Sequence, residues 1–240
     1  MSQSAIEVVR QVVAQKLVPN PCSVIRENDH PRNGTVLVLG TPRGGTSVVA
    51  GICQMLGVPM GRDIDRSNIE DRRFRATLAA PDLVSATAEY FSERTVGGPL
   101  NGVKNPVMID RLAEYYAVIP RPILVVVTRD VLATAQREEI SGHELLRSLH
   151  SVVRRKYAIL EFVENVSEPL IFVSYERLVA DPRAAVAALS SFLLGIADEH
   201  LVEQTSRLVR PNCDMPDDVD FVYEREQYER QVLGAFKMVS

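Results

Sequence analysis

The sequence predicts an α/β fold: a parallel β-sheet flanked by helices, in three layers. Three observations carry this. Short apolar runs, TVLVL at 35–39, ILVVVT at 123–128 and LIFVS at 170–174, have the length and β-branched content of buried strands. Between them lie longer segments whose apolar residues recur at helical spacing. The first strand runs into a glycine-rich turn that opens a helix. Strands that alternate with helices build a parallel sheet covered on both faces. With 240 residues, 46% hydrophobic and 24% charged, the chain suffices for one good core. It is read as one domain over 1–240, without repeat, low-complexity segment or linker.

In chain order, Ile6, Val9, Val13 and Leu17 mark an amphipathic helix, stopped by Pro19, Asn20 and Pro21. A polar loop with Pro31, Asn33 and Gly34 completes an N-terminal section, 1–33. After the strand at 35–39 comes the glycine turn 40–45, then a helix over 46–56 stopped by Gly57. Residues 71–95 read as helical with a break at Pro81, 101–104 as a short strand ended by Pro106, and 107–118 as helical. A helix follows near Asp130, and a long one over 143–166 carries a basic face of Arg147, Arg154, Arg155 and Lys156. Asp181 and Pro182 are an N-cap and first-turn proline for a helix that ends at Gly195. The last fifty residues read as helices around a loop with Pro211 and Pro216, and 211–240 as a helical tail. Ligands of such a fold bind at the carboxyl ends of the strands, which places chemistry after Leu39, Lys104, Thr128 and Ser174.

Bulk properties narrow the function. A net charge of −4 and a pI near 5.7 argue against general nucleic-acid binding. No apolar stretch is long enough for a membrane span, and the N-terminus lacks the pattern of a secretory signal. Cys22, Cys53 and Cys213 are odd in number and far apart, as free thiols in a reducing cytoplasm would be. Four histidines without HExxH give metal catalysis no support.

The segment GTPRGGTS at 40–47 is the most informative. Its position between strand and helix lets backbone N–H groups wrap an anion at a helix N-terminus. It nearly fits the nucleotide P-loop GxxxxGK[ST], but Thr46 stands in place of the lysine that serves the β- and γ-phosphates. Arg43 supplies a cation from elsewhere in the loop. A tight turn without a ligand would need less than this run of Gly, Pro, Arg, Thr and Ser.

PRGGTS, 42–47, resembles the 5'-phosphosulfate loop of the sulfotransferases that use 3'-phosphoadenosine 5'-phosphosulfate (PAPS), a family with a P-loop nucleotide-binding-like three-layer sandwich. Further segments follow in the family's order between about residues 35 and 210. ILVVVTRDVLATAQRE, 123–138, resembles its 3'-phosphate segment, and Arg129 matches the arginine that contacts that phosphate. Arg137 stands where a serine is usual, and Val131 where a proline is. NGVKNP, 101–106, resembles the K-[DN]-P segment, which implies Lys104 near the sulfuryl group; Pro106 replaces the histidine base of the animal cytosolic branch. NIED, 68–71, resembles an element of bacterial-type members, making Glu70 the candidate base, with Asp71 and His143 in reserve. SYERLVADP, 174–182, with FLLG, 192–195, resembles a mainly architectural segment in which Ser174 and Tyr175 stand at a strand end. Arg207 and Arg210 lie where a late basic loop approaches the 3'-phosphate.

The resemblance implies a cytoplasmic enzyme that transfers a sulfuryl group from PAPS to a hydroxyl or amine of a small-molecule or carbohydrate acceptor, without a metal. Pro42, Arg43, Gly44, Gly45, Thr46, Ser47, Arg129, Arg137 and Arg210 would hold the donor; Arg43, Glu70 and Lys104 would act in transfer. Acceptor and oligomeric state stay open. The alternatives are a P-loop phosphotransferase using ATP and a non-catalytic nucleotide-binding protein.

Overall fold

The structure of the protein, a computed structural model, describes residues 20–95, 99–139, 144–209 and 220–237. The helix read before Pro19, His143, Arg210 and Cys213 lie outside these residues. Among the described residues the main sheet has five strands: β1 (Cys22–Arg26), β2 (Gly34–Leu39), β5 (Leu100–Lys104), β6 (Pro122–Thr128) and β7 (Leu170–Ser174), in the order β1-β7-β6-β2-β5. Two more strands, β3 (Ile64–Asp65) and β4 (Glu70–Asp71), form a small antiparallel pair beside it.

Three of its four pairings are those of a parallel sheet, and the exception lies at the edge. Strands β5, β2, β6 and β7 run parallel, whereas β1 pairs with β7 antiparallel. The segment read as loop before Gly34 therefore contains a strand. Its middle residues face solvent, so it lacks the buried apolar run that marks the others.

Strand alternation sorts the core into two layers. Val36, Val38, Ile123, Val125, Val127, Ile171 and Val173 face one side. There they meet α1 (Thr46–Met55), α8 (Pro182–Leu194) and α9 (Glu199–Leu208). Leu37, Leu39, Val103, Leu124, Val126 and Leu170 face the other. They meet α2 (Arg72–Leu78), α3 (Leu83–Thr95), α4 (Leu112–Tyr115) and α6 (Leu145–Glu164). Each fully buried Val, Leu or Ile contributes roughly 1.5–3 kcal/mol. Phe221, which opens α10 (Phe221–Lys237), is buried against Gly51 of α1, where a Cβ would overlap its ring.

Local signals end these helices as expected. Asp71 caps α2 through the Arg73 N–H, and Pro81 falls in the gap before α3. Asp130 accepts from the Ala133 N–H as α5 (Val131–Glu139) begins. Asp181 accepts from the Ala184 N–H, Pro182 opens α8, and Gly195 closes it at φ 73°. α7 (Tyr175–Ala180) follows β7 directly. Residues 107–118, expected as one helix, are broken: 3-10 turns at Met108–Asp110 and Tyr116–Val118 flank the one-turn α4. Arg111, at φ −134°, interrupts the helical backbone.

From β2 the chain goes to β5 on one side, and β6 then pairs on the other. The strand order reverses beside β2, which is where ligand crevices open in such sheets.

Candidate active site

Four strand ends converge at this crevice. The turn 40–45 follows β2, Lys104 ends β5, Arg129 follows β6 and Tyr175 follows β7. The register brings Val38 opposite Lys104 and Thr128 opposite Ser174.

The turn is shaped by left-handed residues. Gly45 is the N-cap of α1 at φ 87°, and Arg43 takes φ 58°, a region in which a non-glycine residue costs about 1–2 kcal/mol. The Gly44 N–H closes the turn on the Thr41 carbonyl at 3.0 Å. No side chain caps α1, and no acidic residue stands in its first turn. The amides at its start are thus available to an anion, and the helix dipole favours one.

Arg129 points at this turn. Its Nη1 donates to the Arg43 carbonyl at 2.9 Å, and its guanidinium lies 4.5 Å from the centre of the Tyr175 ring. The same ring packs on Gly45, where any Cβ would overlap it. The backbone of this segment is pinned on both sides: Lys156 Nζ donates to the Arg129 carbonyl, and the Asp130 N–H donates to Glu176 at 2.8 Å. Lys156, expected on the basic face of its helix, is thus committed to the end of β6.

The other side of the crevice is built around Lys104, which is only 2% exposed. Its Nζ donates to Ser47 Oγ at 3.0 Å, the Asn68 carbonyl at 2.9 Å and Glu70 Oε1 at 2.9 Å. Burial holds its ammonium below the ordinary lysine range, and the Glu70 carboxylate opposes the drop. The second Glu70 oxygen accepts from Arg75 at 2.8 Å and from Asn105 at 3.5 Å. The backbone that presents Glu70 is strained: buried, β-branched Ile69 takes φ 56°. The Glu70 N–H donates to Asn68 Oδ1 at 2.9 Å, which fixes the turn.

Pro42, Arg43, Gly45, Thr46, Ser47, Glu70, Lys104, Arg129 and Arg137 line one cavity of about 370 Å³, with Asn68 and Tyr175. Gly44 is absent from its wall. Asp71 is 2% exposed and occupied with structure: besides capping α2 it accepts from the Arg62 N–H and the Tyr90 hydroxyl. That removes it as a reserve base. Arg207 also falls away; it pairs with Glu203 at 2.9 Å on α9 and lines a different depression, with Met55 and Tyr228. The sequence singled out neither Arg75 nor Asn105. Arg75 is one of three arginines in four residues, and nothing in that run marks it.

No protein-family model matches the sequence, and no curated protein does. Among solved structures, the chain is similar to a sulfotransferase domain from the Synechococcus PCC 7002 olefin synthase, with TM-score 0.52 and 14% identity, over 85% of this chain and 98% of that one. Two others are a sulfotransferase domain from the curacin biosynthetic pathway (TM-score 0.47, 16% identity, 80% and 83% covered) and a retinol dehydratase in complex with retinol and PAP (TM-score 0.42, 14% identity, 87% and 80% covered). The first likeness establishes the architecture: this chain has the α/β fold of a sulfotransferase domain.

Proposed function

We propose that the protein transfers a sulfuryl group from PAPS to an acceptor hydroxyl or amine. One observation carries this reading. The uncapped loop–helix junction and the guanidinium of Arg129, directed onto it, border one cavity that also holds Arg137, Lys104 and Glu70. Two anion cradles on one cavity suit a donor charged at both ends. Thr46, in place of the P-loop lysine, disfavours a nucleoside triphosphate.

PAPS supplies an activated sulfuryl group: its bond from sulfur to the bridging phosphate oxygen breaks, the electron pair leaves with 3'-phosphoadenosine 5'-phosphate (PAP), and the acceptor oxygen or nitrogen bonds to sulfur. In this reading the loop amides with Arg43, Thr46 and Ser47 bind the 5' end, and Arg129 with Arg137 binds the 3'-phosphate. Lys104 and Arg43 stabilise charge on the sulfuryl and leaving oxygens. Glu70 takes the acceptor's proton at Oε1. Lys104 occupies that oxygen and Arg75 the other, so Oε1 is freed for the acceptor as Lys104 turns its hydrogen bonds to the donor.

Calorimetry without magnesium tests the donor. PAP should bind at least about tenfold tighter than ATP, a difference of about 1.4 kcal/mol. Equal or tighter ATP binding would favour a phosphotransferase instead.

A further inference from the structure

A second hollow, of about 760 Å³, adjoins the donor cavity and shares Pro42 and Arg43 with it. Its far wall is one face of α6, where Arg147, His150, Arg154 and Arg155 stack at helical spacing. Ser148 and Ser151 add hydroxyls, and among the described residues Glu138 is the one acidic residue on the wall. Among the described residues, no Phe, Tyr or Trp lines it.

Two of the arginines here, Arg147 and Arg154, are not spent on the fold. Arg155 is bonded to Asp110 and Ser151. Arg147 and Arg154 are exposed, and among the described residues neither makes an ion pair or a side-chain hydrogen bond. Four guanidinium groups, Arg43 included, border one concave space on a chain of net charge −4. A cleft lined by one sign of charge concentrates ligands of the other, and the planar fork of arginine suits phosphate, sulfate and carboxylate oxygens.

We infer that this hollow holds the acceptor and that the acceptor is anionic: a hydroxyl or amine compound that already carries phosphate, sulfate or carboxylate. The inference rests on the donor reading above. The shared wall of Pro42 and Arg43 is the end of the loop assigned to the sulfuryl group, so a ligand gripped by Arg147 and Arg154 faces that group across Arg43. Among the described residues Pro42 is the one hydrocarbon side chain on the wall, which gives a neutral aromatic or lipid acceptor little to pack against.

The test titrates protein saturated with PAP, by calorimetry, with glucose, glucose 6-phosphate, glucose 6-sulfate and glucuronate. These probes share a sugar and differ in their charge. At least one anionic sugar should bind at least about tenfold more tightly than glucose, and the Arg147→Gln/Arg154→Gln variant should lose at least about tenfold of that affinity. The variant should bind PAP as the wild type does, since neither residue lines the donor cavity. Which probe binds tightest separates phosphate, sulfate and carboxylate as the charge recognised. If PAP binds normally but no anionic sugar exceeds glucose, or the double variant binds it undiminished, the acceptor inference fails and the donor reading stands. Binding of the anions only when PAP is absent would give the hollow to the donor and also overturn the inference. Failure of PAP itself to bind removes both.

Discussion

Lys104 is buried and gripped by three oxygens, whereas Arg147 and Arg154 stand on the wall of the adjoining hollow, exposed to solvent. Arg129 belongs with Lys104, set on a carbonyl and an aromatic face by a backbone pinned from two sides. The difference is one of preorganisation. Cations fixed before a ligand arrives lose little freedom on binding and suit one invariant molecule. Cations on free stems lose more side-chain entropy and suit ligands whose charged groups vary in position. The proposed donor and acceptor sites ask for these two solutions.

The comparison can be broken first at its fixed end. Glu70→Gln keeps the size of the side chain and an oxygen for Lys104, but removes the proposed proton acceptor. Turnover should fall by about 10²–10⁴, with PAP affinity nearly unchanged; labelled-PAPS transfer and calorimetry read the two separately. Unaltered turnover would take Glu70 out of the reaction. Next comes the packing under the loop. Gly45→Ala sets a Cβ into the Tyr175 ring at a left-handed position. It should cost about 1–3 kcal/mol in denaturant unfolding, and PAP affinity should fall with it because Tyr175 also seats Arg129. The smallest effect belongs to the free end: Arg154→Gln should change stability by no more than about 0.5 kcal/mol. A larger loss there would show that this arginine serves the fold after all.

Much of the fixed end was legible before the structure. The β-branched runs at 35–39, 123–128 and 170–174 are inner strands, because a strand buried on both faces must be apolar throughout. The turn at 40–45 and Arg129 could be found because glycine spacing and strand ends are local signals. What escaped depends on contacts distant in sequence. β1 has exposed Val24 and Ile25 and becomes a strand only by pairing with β7. The grip of Arg75 on Glu70 requires the turn at Ile69, whose left-handed backbone no β-branched residue announces. Tyr175 read as architecture, and its place beneath Arg129 comes from two strand ends meeting. On the long helix the basic residues were visible, but only the fold separates Lys156, spent on the Arg129 carbonyl, from Arg147 and Arg154, which face the hollow.

The central claim is that Arg129 and the loop of Arg43 hold opposite ends of one doubly anionic adenosine. Calorimetric titration of PAP into wild type and Arg129→Ala tests it most directly. Loss of charge-assisted hydrogen bonds worth about 1.5–3 kcal/mol should weaken PAP by about 10- to 100-fold, while adenosine 5'-phosphate, which lacks the 3' group, should bind both proteins alike. Equal PAP affinity in the two would contradict the account.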